Sequence, residues 1–180
     1  ALYIYSTNVC KIYVMFINDN TAKSDGAGCY ISRIKNLLSF KCRIFTNIAK
    51  HKGAGIYVYN SHQSHIINII FQNNSAKYGG ALASSKCNKI IVHRVLMLHN
   101  RADLHGGAIY NDMDECLIIS QSNMRGNKAT KGGGLFTQKF EDLHLNNCSF
   151  SSNIVTAHGG ALYAENFNKY QKSRINQFLT

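Results

Sequence analysis

Apolar side chains recur along this chain in short bursts. Ile66-Ile67-Asn68-Ile69-Ile70-Phe71, Ile90-Ile91-Val92, Leu117-Ile118-Ile119 and Leu143-His144-Leu145 are four of them, with Gly, Asn, Ser and Lys between. An amphipathic helix needs about ten or more residues with a 3.6-residue period, and no such run is present. Ile, Val, Tyr and Phe favour strands, while glycine and asparagine suit sharp turns. The pattern predicts an all-β chain.

The turn residues are themselves periodic. A Gly-Gly-Ala-Ile/Leu-aromatic motif begins at Gly26, Gly53, Gly79, Gly106, Gly132 and Gly159, so successive copies are 27, 26, 27, 26 and 27 residues apart. A second motif keeps step: an apolar residue three positions before Asn20, Asn47, Asn74, Asn100, Asn127 and Asn153. Two motifs in phase over six copies define a repeat protein, whose function lies in an extended surface more than in one pocket. At about 3.3 Å per strand residue, each repeat holds about three short strands and three turns, which is one coil of a parallel β-helix. Six to seven coils of 26–27 residues then make a single β-helical segment over residues 1–180. Ala1-Leu2-Tyr3 matches the tail of a glycine motif, and Ile175-Asn176-Gln177-Phe178 leads towards another apolar-x-x-Asn. The expectation is a window cut from a longer array, lacking both caps.

Stacked coils set equivalent residues about 4.8 Å apart in columns. Ile17, Ile44, Phe71, Met97, Met124 and Phe150 form one column, and Met15, Cys42, Ile69, Val95, Ser122 and Cys148 another. Both read as core, as does the Ile/Leu that follows each small-residue triplet. The asparagines are expected to form a ladder of amides, each bonding the next coil. The glycines are expected to supply backbone angles and close approach that a Cβ forbids. The absence of proline fits an uninterrupted backbone ladder.

Twenty Lys and Arg against nine Asp and Glu give a formal net charge of +11. That balance points to acidic partners, anionic glycans among them, or else reflects compositional bias. No Lys/Arg run exceeds two residues and no nucleic-acid motif is present, so no specific nucleic acid is expected. No run of about 18 apolar residues occurs, so membrane attachment would have to come from elsewhere. Cys10, Cys29, Cys42 and Cys148 read as small buried hydrophobes, while Cys87 and Cys116 fall in similar regions of neighbouring coils and could approach. No C-x-x-C spacing is present, and neither a metal nor a cofactor is expected.

The coupled motifs resemble the repeats of the polymorphic outer-membrane protein family of chlamydial surface proteins. The clearest copies run from Phe71 to Leu82 and from Phe150 to Leu162. Ile or Met replaces Phe in four copies, and Gly-Ala-Gly replaces Gly-Gly-Ala in two. The resemblance implies a right-handed parallel β-helix displayed at a cell surface, acting in adhesion or as a structural stalk. Its partners would be neighbouring chains or further repeats of the same chain.

Four groups of residues are candidates for more than structure. Tyr30, Tyr57, Tyr110, Phe136 and Tyr163 share a column broken by Ala83. Alternation with the inward Ile/Leu column places these rings outside, where they could stack on sugars or on a neighbouring filament, or simply stiffen the sheet; a shifted phase would bury them. Glu115 and Glu141 each lie nine residues after the first glycine of their repeat, near Asp112, Asp114 and Asp142. Stacked carboxylates suit a retaining glycosidase or a calcium site, which leaves a polysaccharide-active enzyme as the rival to a non-catalytic surface protein. His105 and His158 precede glycine motifs and read as exposed turn residues, two coils apart. Asn73-Asn74-Ser75 is a glycosylation sequon with Asn73 as acceptor; Asn147-Cys148-Ser149 is a second, compromised by its buried cysteine.

Overall fold

The structure, a computed structural model, describes residues 1–165 and the backbone of 172–178. The chain winds into a parallel β-solenoid of about six turns, with no helix among the described residues. Each coil pairs in parallel only with the coils before and after it, so Leu82 lies between Ile56 and Ile109, and Met97 between Phe71 and Met124. The backbone of Lys172–Phe178 continues this register, with Ile175 opposite Leu145 and Phe178 opposite Cys148.

The inner coils have four strand segments, where the sequence led us to expect three. In one coil these are Leu82–Ser85, Lys89–His93, Leu96–Leu98 and Arg101–His105. Four corners separate them, each turned by one residue with positive φ. Lys86, Arg94, His99 and Gly106 do this in that coil, at 57°, 52°, 52° and 69°. Three of the four corners accept ordinary side chains because their turn residues point into solvent. Only the fourth demands glycine: a Cβ on Gly106 would stand 2.2 Å from the Ile109 carbonyl oxygen. The motif visible in the sequence is therefore one corner of four; the other three are turned by varied residues, Asn60, Asn68 and Asn73 in one coil and Lys86, Arg94 and His99 in the next.

The columns expected inside are inside. Ile17, Ile44, Phe71, Met97 and Met124 are buried in one continuous core with Ile56, Leu82, Ile109 and Leu135, and Phe150 and Leu162 pack against it. The two Phe copies carry a condition that the sequence did not reveal. In the coil before Phe71 the third motif residue is Gly55, and in the coil before Phe150 it is Gly134. A Cβ on Gly55 would lie 2.5 Å from the Ala81 carbonyl oxygen and 2.8 Å from Phe71 Cδ1, and one on Gly134 would lie 2.6 Å from both the Ala161 carbonyl oxygen and Phe150 Cδ1. Met97 and Met124 instead follow Ala81 and Ala108. Ring and methyl compete for one volume in a close-packed interior.

The asparagine column runs unbroken through the described coils. Nδ2 of Asn20, Asn47, Asn74, Asn100 and Asn127 donates to Oδ1 of the next asparagine at 2.9, 3.0, 3.0, 3.1 and 3.0 Å. The same Oδ1 accepts the backbone N–H of the preceding asparagine. Each Nδ2 from Asn47 onward also donates back one coil, to the carbonyls of Ile17, Ile44, Phe71, Met97 and Met124. Asn47, Asn74, Asn100 and Asn127 are fully buried, yet their amides are saturated.

Two outcomes follow for stability. Asn100→Ala strands the Asn74 backbone N–H, the Asn74 amide and the Phe71 carbonyl; at about 1–3 kcal/mol each with partial relief, we expect a loss of about 4 kcal/mol and a Tm lower by about 8–16 °C in thermal melts followed by circular dichroism. Gly55→Ala should also destabilise, by about 1–3 kcal/mol of overpacking. Phe71→Met in the same chain should restore the part due to the ring, while the part due to the Ala81 carbonyl remains. A double-mutant cycle in urea that shows simple additivity would refute the pairing.

Candidate functional site

The column Tyr30, Tyr57, Ala83, Tyr110, Phe136, Tyr163 does point away from the main core, as strand alternation requires. It is not an open ladder, however. Tyr57 and Tyr110 are 5% exposed and Phe136 1%, in a second small core separate from the first. The cover is the residue just before each glycine corner, which lies over the ring one coil beyond the strand that follows that corner. Tyr78 lies 5.1 Å from the Tyr110 ring, His105 stacks on Phe136 at 4.5 Å, and Lys131 sits 4.9 Å over Tyr163. Rings on successive coils also stack directly, Tyr110 on Phe136 at 5.5 Å and Phe136 on Tyr163 at 5.3 Å. Of the alternatives, lateral stacking that stiffens the sheet describes the seam of Tyr57, Tyr110 and Phe136, while Tyr30 and Tyr163 of the same column stay partly exposed.

The break in the seam at Ala83 is filled by Lys52. Its Nζ lies 5.7 Å from the Tyr57 ring and 5.5 Å from the Tyr110 ring, the two that flank Ala83. The ammonium donates to Ser85 Oγ at 3.2 Å and pairs with Asp112 at 3.9 Å. Attraction of a cation to flanking ring faces stabilises such a placement. His105 is half-buried in the seam and not an exposed turn residue; burial first, and Lys131 second, hold its imidazole below the usual histidine range. His158 is exposed.

The acidic residues divide into two environments. Glu115 and Glu141 do stack on adjacent coils, with the Glu141 backbone N–H donating to the Glu115 carbonyl at 3.1 Å. They line an open groove of about 340 Å³ with His62, Asn88, Lys89, Cys116 and Asp142. Both are exposed, and Glu115 accepts a hydrogen bond from Asn88 at 2.8 Å. Among the described residues no three His, Cys, Asp or Glu side chains gather as a metal site. Asp114, by contrast, is 1% exposed. Its carboxylate accepts the Cys87 backbone N–H at 2.7 Å and the Asn111 amide, and Asn111 in turn meets Ser84 and Thr137. Burial pushes Asp114 up to about 7, against the opposing pull of hydrogen bonds from Ser84 and the Cys87 backbone.

That register corrects the cysteine expectation. Cys87 stands opposite Asp114, and Cys116 stands opposite Lys89, so the two thiols occupy different columns. All six cysteines are free thiols. Burial raises Cys29 to about 12 and raises Cys87 as well, which leaves both unreactive. Asn73 is exposed at a positive-φ corner, while its neighbour Asn74 belongs to the buried ladder. Asn147 is likewise exposed at a corner beside buried Cys148. No helix among the described residues is long and apolar enough to cross a membrane.

Coil-on-coil pairing, an internal amide ladder and a sealed flank define a parallel β-solenoid repeat protein. Two of its segments, residues 68–85 and 147–165, match the Chlamydia polymorphic membrane protein repeat. These are the two copies that combine Phe71 or Phe150 with Gly-Gly-Ala-Leu. No curated protein and no solved structure matches the chain.

Asp114 gives the structure a pH dependence. Its folded pKa is raised above the unfolded value, so the folded chain keeps a proton that the unfolded chain has lost. Stability from this group is complete below about pH 4 and falls as pH rises to about 7, by a few kcal/mol at most. Asp114→Asn should flatten this slope, gaining on the parent between pH 4 and pH 8 in urea titrations; parallel slopes for the two chains would show that Asp114 is not the cause.

Proposed function

We propose that this chain is a stretch of a non-catalytic, extracellular or cell-surface rod that spaces, links or adheres. The observation that carries the reading is the unbroken asparagine ladder. Interior polar groups are committed to bonds along the axis, and the sites that looked chemical in the sequence are absorbed into structure or left in open solvent. The aromatic column seals a flank, Lys52 plugs its gap, and Asp114 caps the turn of the preceding coil. Glu115 and Glu141 are exposed along an open groove, with Glu115 held by the Asn88 amide. The membrane-protein repeat match on residues 68–85 and 147–165 supports a surface setting. Partners of such a rod are neighbouring chains, further repeats and anionic glycans.

The reading is tested by coating beads with the chain and measuring adhesion to cells and immobilised glycans, while assaying the same glycans for new reducing ends. Adhesion without cleavage is expected, together with antibody labelling of intact source cells. Release of reducing ends that disappears in Glu115→Gln/Glu141→Gln would overturn the proposal in favour of an enzyme.

A further inference from the structure

The fourth segments of successive coils form a separate six-stranded parallel sheet, made of Thr21–Ala22, Ile48–Ala49, Ser75–Tyr78, Arg101–His105, Lys128–Lys131 and Ile154–His158. Its inner side is a stripe of alanines, with Ala49, Ala76, Ala102 and Ala129 all buried. Its outer side has a different character. Five consecutive coils each present one cation there, in two columns: Lys23, Lys50 and Lys77 follow the alanine of their coil, and Arg101 and Lys128 precede theirs, with Asp103 and Thr130 continuing the lysine column. Lys77 is half-exposed and the others are exposed. The Lys50 backbone N–H bonds the Ala22 carbonyl, which sets Lys50 beside Lys23. Lys77 bonds the next position of that coil, at the His51 carbonyl, and Arg101 and Lys128 are paired register partners.

Little opposes this charge locally. Two carboxylates lie near: Asp103, paired with Arg101 at 3.4 Å with both side chains largely in solvent, and Asp25, which accepts the Lys52 backbone N–H at 2.9 Å. Among the described residues Lys23, Lys50, Lys77 and Lys128 have no carboxylate partner. Thr21, Ser75 and Thr130 supply hydroxyls between the cations. Within each column, Lys23–Lys50–Lys77 and Arg101–Lys128, like charges about one coil rise apart repel one another, and the solenoid backbone fixes them there. An anion that lies along either column relieves that repulsion at every step.

We propose that this outer face binds a linear polyanion of the sulfated or carboxylated polysaccharide class, laid parallel to the solenoid axis. The proposal deepens the rod reading and rests on it, since it assigns a partner to one flank of the rod. Two features favour a polysaccharide over nucleic acid or lipid. The face offers hydroxyls and cations, and its exposed rings are two histidines on separate coils, His51 and His158, with no continuous platform for successive bases, since the aromatic column lies on another face. It is also straight, and a sugar unit in an extended chain advances by about the same distance as one coil, so the anions of the polymer can stay in step with the lysines.

The probe is heparin, with duplex DNA and phosphatidylserine vesicles as competing arms, on the intact chain at low and physiological salt. The face variant is Lys23→Ser/Lys50→Ser/Lys77→Ser. The control Lys41→Asn/Lys86→Asn/Lys139→Asn removes the same charge from corners of other faces, where asparagine tolerates positive φ. Circular dichroism and melting verify that both fold. We expect salt-dependent heparin binding that weakens by about tenfold or more in the face variant, with a shallower salt slope, and by no more than about threefold in the control. Equal losses in the two variants would reduce the effect to net charge and overturn the proposal. So would DNA or vesicles that bind the face more tightly than heparin, or an absence of binding at low salt. Any of these leaves the adhesion and cleavage assays of the rod reading to stand on their own result.

Discussion

Everything in this molecule depends on one constraint: a group taken out of water must find its partner one coil away. The backbone meets it through parallel pairing, and the asparagine column meets it with side chains. Each buried amide gives two hydrogen bonds and receives two, to groups of the coils on either side. An amide can bond a translated copy of itself and still keep a second N–H for a backbone carbonyl, which a hydroxyl cannot. This is why the column holds asparagine while its neighbours vary among Ile, Met and Phe.

Translation also explains how departures from the repeat are absorbed. A larger residue in one coil must be offset by a smaller one in the next, since the coil rise is fixed by backbone bonds. Phe71 with Gly55 and Phe150 with Gly134 are two solutions of that kind, and Lys52 filling the space over Ala83 is a third. Asp114 is a fourth: it takes the place that Ser61 holds two coils earlier, capping a backbone N–H of the coil before, at the cost of a buried acid whose charged form burial disfavours.

Chemistry on such a scaffold belongs to its faces. Residues inside are fixed by the neighbouring coils, whereas outward positions are free, and whatever they hold is repeated at the coil rise. The basic fourth sheet and the acidic corner around Glu115 and Glu141 are both of this type, one extended over five coils and the other confined to two.

The repeat period, the all-β class, the core columns and the amide ladder were legible in the sequence, because translation forces the same residue types to recur at the same spacing. Glycine at one corner was legible for the same reason. The other three corners were not: their turn residues face water, so Lys86, Arg94 and His99 serve as well as anything and leave no pattern. The aromatic column shows the limit most clearly. Alternation correctly set Tyr57, Tyr110 and Phe136 away from the core, but only the tertiary structure could show Tyr78, His105 and Lys52 folded over them. Strand periodicity reports which side of a sheet a residue occupies; whether water reaches that side is decided by where the next corner sends the chain.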